Sequence, residues 1–128
     1  MKPNKIIDEY GNITTLWGDW LPLTIEPTNE DDTPYIFKDE DIVRFRIIKK
    51  KDCNCVELQK DFEPTVGSTS LDIDLWANEM EIGDVINKPI TYWYEVILNP
   101  DTKYELTIIG YKKYEKTLTL TPKGRDKK

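Results

Sequence analysis

Apolar residues recur at every second position along most of this chain, and a period of two confines it to β-strands. Leu71-Asp72-Ile73-Asp74-Leu75 shows the pattern at its cleanest, with apolar side chains on one face and carboxylates on the other. Val43, Phe45 and Ile47 alternate with Arg44, Arg46 and Ile48 in the same way. Leu21, Leu23 and Ile25 alternate with Pro22, Thr24 and Glu26. Val56, Leu58 and the later Phe62 alternate with Glu57, Gln59 and Asp61, and Leu118 and Leu120 with Thr117, Thr119 and Thr121. Adding Ile13 to Trp17 and the segments 91–98 and 104–111 brings the count to about eight strands separated by turn signals. The helical period is nearly absent. The expected fold is all-β: an antiparallel, immunoglobulin-like β-sandwich of about seven to eight strands, with a small barrel as the other closed solution.

Only Trp76-Ala77-Asn78-Glu79-Met80-Glu81-Ile82 has room for a helical turn, which Asp72 or Asp74 would cap and Gly83 would end. Pro22 has no amide to donate and therefore requires a sheet edge or a bulge. Gly18-Asp19 marks a bulge or tight bend between the first two strands. The polar, proline-bounded loop 27–34 belongs on the surface. One hairpin register follows from matching faces. The face of Tyr92, Tyr94, Val96 and Leu98 meets that of Tyr104, Leu106 and Ile108, setting Leu98 against Tyr104 and Val96 against Leu106. The loop is then residues 99–103, with Pro100 pre-set for the first central position of a type I turn. On the opposite face Trp93 lies across from Ile109, with Ile97 nearby. Such an apolar patch is either covered by the chain's own termini or used as a subunit interface.

A chain of 128 residues holds one domain of ordinary size, with its core over about 13–121, a short N-terminal segment and a basic C-terminal tail. Its fourteen aromatic residues (Trp 4, Tyr 7, Phe 3) argue against disorder. No apolar run reaches the length of a membrane span, and Met1 to Asp8 lacks the apolar stretch of a secretory signal. The expectation is a soluble protein made in the cytosol. There is no His, which removes imidazole general bases, Ser–His and Cys–His nucleophiles and His-ligated metal. Net charge is −6; the tail from Pro122 contributes +3, leaving −9 on the body. A body of that sign repels phosphate backbones, so nucleic acid is not an expected partner, and neither is a membrane. Cys53-Asn54-Cys55 reads as a pair of reduced thiols in a hairpin loop, since a bridge across one residue is strained. The other reading is a metal or redox pair completed by another subunit.

Carboxylates are the only abundant group with catalytic potential. Asp72 and Asp74 share the outer face of one strand, where both are hydrated, and Glu30-Asp31-Asp32 and Asp39-Glu40-Asp41 are acidic loop runs. They read as solvated surface; a calcium site would need a ligand ladder that is missing. Ser68 and Ser70 have neither a base nor a nucleophile elbow beside them. No catalytic residue, cofactor or metal is expected. Trp17 and Trp20, flanking Gly18-Asp19, form either packing anchors or a sugar-stacking shelf.

The order of these features resembles a family: the short β-sandwich domain of phage tail and baseplate proteins, and in particular the N-terminal domain of baseplate upper proteins of phages of Gram-positive hosts. The resembling residues are Leu16-Trp17-Gly18-Asp19-Trp20-Leu21-Pro22-Leu23-Thr24-Ile25, then Asp41-Ile42-Val43-Arg44-Phe45-Arg46-Ile47-Ile48-Lys49, then Ser70 to Leu75. Gly83-Asp84, Tyr92-Trp93-Tyr94-Glu95-Val96 and Thr107-Ile108-Ile109-Gly110 complete the order, with six residues inserted between Gly83 and Ile90. The resemblance implies a phage or prophage structural module without catalytic residues. Its partners would be other virion or tail proteins or copies of itself, and its place the virion, or the host cytoplasm during assembly. The expected contact residues are Trp93, Ile97 and Ile109, with Trp17 and Trp20 second. The alternative is a carbohydrate-binding β-sandwich module using Trp17, Trp20 and the acidic loops. A carboxylate-only hydrolase is a third, requiring two acids in one cleft and one raised pKa.

Overall fold

The computed structural model describes residues 11–49, 55–83, 86–109 and 116–122. The first ten residues, Cys53, Asp84, Gly110 and the basic tail beyond Pro122 lie outside this set.

Among the described residues eight strands run in order: β1 (Ile13–Leu16), β2 (Leu21–Ile25), β3 (Val43–Ile48), β4 (Val56–Phe62), β5 (Leu71–Leu75), β6 (Ile90–Leu98), β7 (Leu106–Ile109) and β8 (Lys116–Thr121). They form two sheets. The larger has the order β1-β8-β6-β3-β4, with β7 beside β6, and the smaller pairs β2 with β5. The protein is thus an all-β sandwich, as the period of two requires. Its strands divide six and two, less evenly than the four and three of an immunoglobulin constant domain. One pairing departs from the antiparallel expectation: β1 runs parallel to β8, from Ile13 beside Leu118 to Leu16 beside Thr121. β7 and β8 lie along the same edge of β6, against its C-terminal and N-terminal parts respectively.

The core is made by every second side chain of both layers. Val43, Phe45, Ile47, Tyr92, Tyr94, Val96, Leu98, Leu118 and Leu120 line the large sheet, and Leu21, Leu23, Ile25, Ile73 and Leu75 line the small one. Phe37, Met80 and Ile82 close it from the connections. Phe45 stacks on Tyr94 with ring centroids 5.6 Å apart, and the Tyr94 hydroxyl donates to the Gly11 carbonyl.

The local devices follow from residue type. Gly18, at φ 80°, takes the third position of a turn closed by the Asp19 amide on the Leu16 carbonyl at 3.1 Å, where only a glycine is unstrained. Pro22 pairs with Asp74 in a sheet that has two strands among the described residues, so the position without an amide hydrogen can face away from the ladder. Residues 76–81 make one hydrogen-bonded turn, with the Met80 amide on the Trp76 carbonyl, and none of the described residues forms a longer helix. Its start is capped by neither Asp72 nor Asp74. Asp72 accepts from the Thr24 hydroxyl and Asp74 from the Trp20 indole, so Glu79 reaches back to the Trp76 amide at 2.8 Å, half of a capping box. No helix of the described residues is long and apolar enough to cross a membrane.

Two further sequence expectations need correction. Leu98 pairs with Leu106, not Tyr104, and after a bulge Val96 pairs with Ile109. The cause is the loop. Asn99 is held to the Ile42 backbone by two hydrogen bonds (2.7 and 3.0 Å), and Asp101 is left-handed at φ 64°, which is the type II rather than the type I position after Pro100. The Glu105 side chain accepts from the Asp101 amide, so Tyr104 and Glu105 are spent in the loop. The second concerns the thiols: Cys55 is disulfide-bonded. The hairpin that carries it is closed by the Lys49 amide donating to the Cys55 carbonyl at 2.9 Å, and the one other cysteine in the sequence is Cys53.

Candidate binding surface

The β2–β5 ladder ends at Leu21 opposite Leu75, and its antiparallel register puts Trp20 and Trp76 at matching positions one step beyond. By alternation both share the outer face with Pro22 and Asp74. The indole N–H of Trp20 donates to Asp74 Oδ1 at 3.0 Å. Trp20 is 40% and Trp76 51% exposed, large values for tryptophan. Lys60 supports the cluster from β4. Its ammonium donates to the Asp74 carbonyl at 3.0 Å and to Glu79 Oε1 at 2.9 Å, and it lies 5.4 Å from the Trp76 ring centroid and 5.3 Å from that of Phe62. Burial pushes the Glu79 carboxyl up, but the Trp76 amide and the Lys60 ammonium overcome this and hold it below its ordinary range. Lys60→Met is expected to cost about 1–2 kcal/mol, read as a shifted denaturant midpoint, because two charge-assisted bonds at a partly exposed site are lost.

The sequence-predicted contact residues are dispersed. Trp17 is half-buried against the core and its indole N–H donates to the Ile82 carbonyl at 2.9 Å, so it anchors the β1–β2 bend and does not join Trp20. Ile97 is buried at 5% exposure between Arg44 and Thr107 on the neighbouring strands. Trp93 is half-buried between Ile48 and Thr117. Ile109, opposite Val96, packs on the core. The register that would have set Ile109 across from Trp93 does not form, and no single patch joins the three. Trp76 was missed because pairing of β2 with β5 cannot be read from either strand alone. Its signal was present: it stands two residues after Asp74, in the outward phase.

The acidic runs are tied locally. Asp31 accepts from the Thr33 hydroxyl and amide, and these bonds hold its carboxyl below its usual range. Asp41 is buried, with Tyr35 and Lys38 donating to one oxygen and Asn99 to the other. Burial pushes this carboxyl up, and the Lys38 amide, Asn99 and Tyr35 together pull it below the ordinary value. Both oxygens are engaged, which makes Asp41 a structural lock on the loops it joins. Among the described residues, no three Cys, Asp or Glu side chains are grouped as metal ligands would be. No protein-family model, curated protein or solved structure matches this chain.

Proposed function

We propose that this chain is a non-catalytic β-sandwich that works by packing against other proteins, as a structural component of a phage or prophage tail or baseplate. The Trp20–Asp74–Trp76 surface carries the reading. Two large amphipathic rings stand exposed just beyond the end of the β2–β5 ladder, the composition favoured at the desolvated centre of an interface. The order of sequence motifs supports the phage setting. Partners are other virion or tail proteins, or copies of this chain, in the virion or in the host cytoplasm during assembly. Trp20→Ala with Trp76→Ala is expected to reduce recovery of the chain in purified particles at least about tenfold, at unchanged circular dichroism, since interface tryptophans are each worth about 2 kcal/mol or more. Undiminished recovery of the double variant would place the contact elsewhere.

A carbohydrate-binding module is the second reading, favoured by the Asp74 carboxylate hydrogen-bonded to the exposed Trp20 indole, with Trp76 two residues on and exposed as well. Titration of intrinsic tryptophan fluorescence with a panel of oligosaccharides separates the two. Saturable quenching that Trp76→Ala abolishes selects the sugar, and a flat response at millimolar ligand removes it.

A further inference from the structure

The hydroxyls of Tyr35 and Tyr94 donate inside the protein, to Asp41 and to the Gly11 carbonyl. Tyr92 differs. It is only 4% exposed, yet among the described residues its hydroxyl has no hydrogen-bond partner. A buried tyrosine normally brings its O–H to an acceptor, and an exception calls for an explanation. Among the described residues the one polar side-chain atom both sealed from solvent and unpartnered is Arg46 Nε. The Tyr92 hydroxyl is therefore not sealed, and Tyr92 lines a cavity of about 340 Å³.

This cavity lies where β3 ends and β4 and β6 begin. Ile82, Ile86 and Ile90 give it apolar walls, and Lys49, Lys88 and Asn87 bring donors to it. Glu57 is the one acid among the described lining residues. It is the extra residue of the β3–β4 bulge, between Leu58 opposite Ile47 and Val56 opposite Ile48, a device that re-aims side chains beside sites. Lys49 and Lys88 are exposed and make no ion pair with another described residue.

We infer that this cavity binds a small organic anion, a carboxylate on a short apolar chain, held by the Tyr92 hydroxyl, Lys49 and Lys88 with its carbons against Ile82, Ile86 and Ile90. Apolar walls with a few convergent polar groups are the usual make-up of a small-molecule site. Two ammonium groups outnumber one carboxylate here, in a chain whose net charge is −6, so the local sign opposes that of the molecule and favours an anion. A hydroxyl and two ammoniums form short, charge-assisted bonds to a carboxylate. Burial and the nearby Glu57 push the Tyr92 hydroxyl above its ordinary value, which keeps it a donor through the neutral range. None of these residues belongs to the Trp20–Asp74–Trp76 surface, and this binding role stands apart from the packing role proposed above.

The test is a titration of the full chain with sodium hexanoate followed by amide NMR, with hexanamide and inorganic phosphate as controls. Hexanoate is expected to shift the amides of Lys49, Ile82, Ile86 and Ile90 saturably, with a Kd on the order of millimolar for so small a ligand. Hexanamide lacks the charge and phosphate lacks the chain, and each is expected to bind at least about tenfold more weakly. Tyr92→Phe is expected to weaken hexanoate binding about tenfold at an unchanged or raised melting temperature, since no internal bond leaves with the hydroxyl. Lys49→Gln with Lys88→Gln is expected to weaken it by at least about as much, and Glu57→Gln to tighten it. The inference is overturned if no amide shift saturates at tens of millimolar hexanoate, or if hexanamide or phosphate binds as tightly. Wild-type affinity in Tyr92→Phe also overturns it. So does a fall in that variant's melting temperature, which would show the hydroxyl already held inside the protein.

Discussion

Asp41→Ala is expected to lower stability by about 3 kcal/mol, measured as the loss in unfolding free energy by urea titration at neutral pH. The carboxylate holds three donors from separate places in the chain: the Tyr35 hydroxyl at 2.8 Å, the Lys38 amide at 2.8 Å and the Asn99 side chain at 3.1 Å. Through Asn99 it ties the segment entering β3 to the loop leaving β6. Removing it leaves those donors without an acceptor in a site only 8% exposed. Asp41→Asn is expected to cost about half as much, because its oxygen still serves Tyr35 and Lys38 while its amide opposes that of Asn99. The acid limb supplies a second readout. The Asp41 carboxyl lies below its ordinary value in the folded state, so its contribution is present above the unfolded pKa and is lost as pH falls through the folded one. The gap between wild type and Asp41→Asn should therefore narrow as pH falls below about 4. At the alkaline end the sign reverses. Tyr35 is pushed up to about 12 by burial and by Asp41, so its contribution is present below pH 10 and is lost as pH rises towards 12. A constant gap across the acid range would show that Asp41 is not ionised in the lock.

Phe45→Ala is expected to cost about 3–5 kcal/mol, the range for emptying a large aromatic from a packed interior. Phe45 has no exposed surface, stands on the central strand β3 between β4 and β6, and stacks on Tyr94. In a chain of this size that corresponds to a fall in melting temperature of roughly 10 °C or more. Phe45→Leu keeps most of the buried volume and should lose less than half as much. A loss below about 1 kcal/mol for Phe45→Ala would mean that the two layers are not packed through this residue.

The strands were legible because each is written locally. Leu71 to Leu75 alternates whatever surrounds it, and β5 has the bounds that the alternation implies. Pro22 and Gly18 likewise carry their constraint in their own covalent structure. Turn chemistry was legible in part. Pro100 announced a turn, but its type depended on Asn99 being pinned to Ile42, which lies 57 residues earlier in the sequence. That contact moved the β6–β7 register and dissolved the anticipated Trp93–Ile97–Ile109 patch.

The binding surface shows the same division. Trp20 and Trp76 each stand in the outward phase of their own strand, and nothing local joins them. Period two settles which side of a strand a residue occupies, because successive side chains point to opposite faces. It does not choose the neighbour strand, the direction of pairing or the edge left open. Those depend on closing loops whose cost is repaid only by distant contacts. The amino-acid order by itself therefore determined an all-β chain with a two-sided pattern and about seven to eight strands. Only the tertiary structure decided that β1 runs parallel to β8, that Trp76 and not Trp17 accompanies Trp20, and that β2 and β7 face each other across a groove.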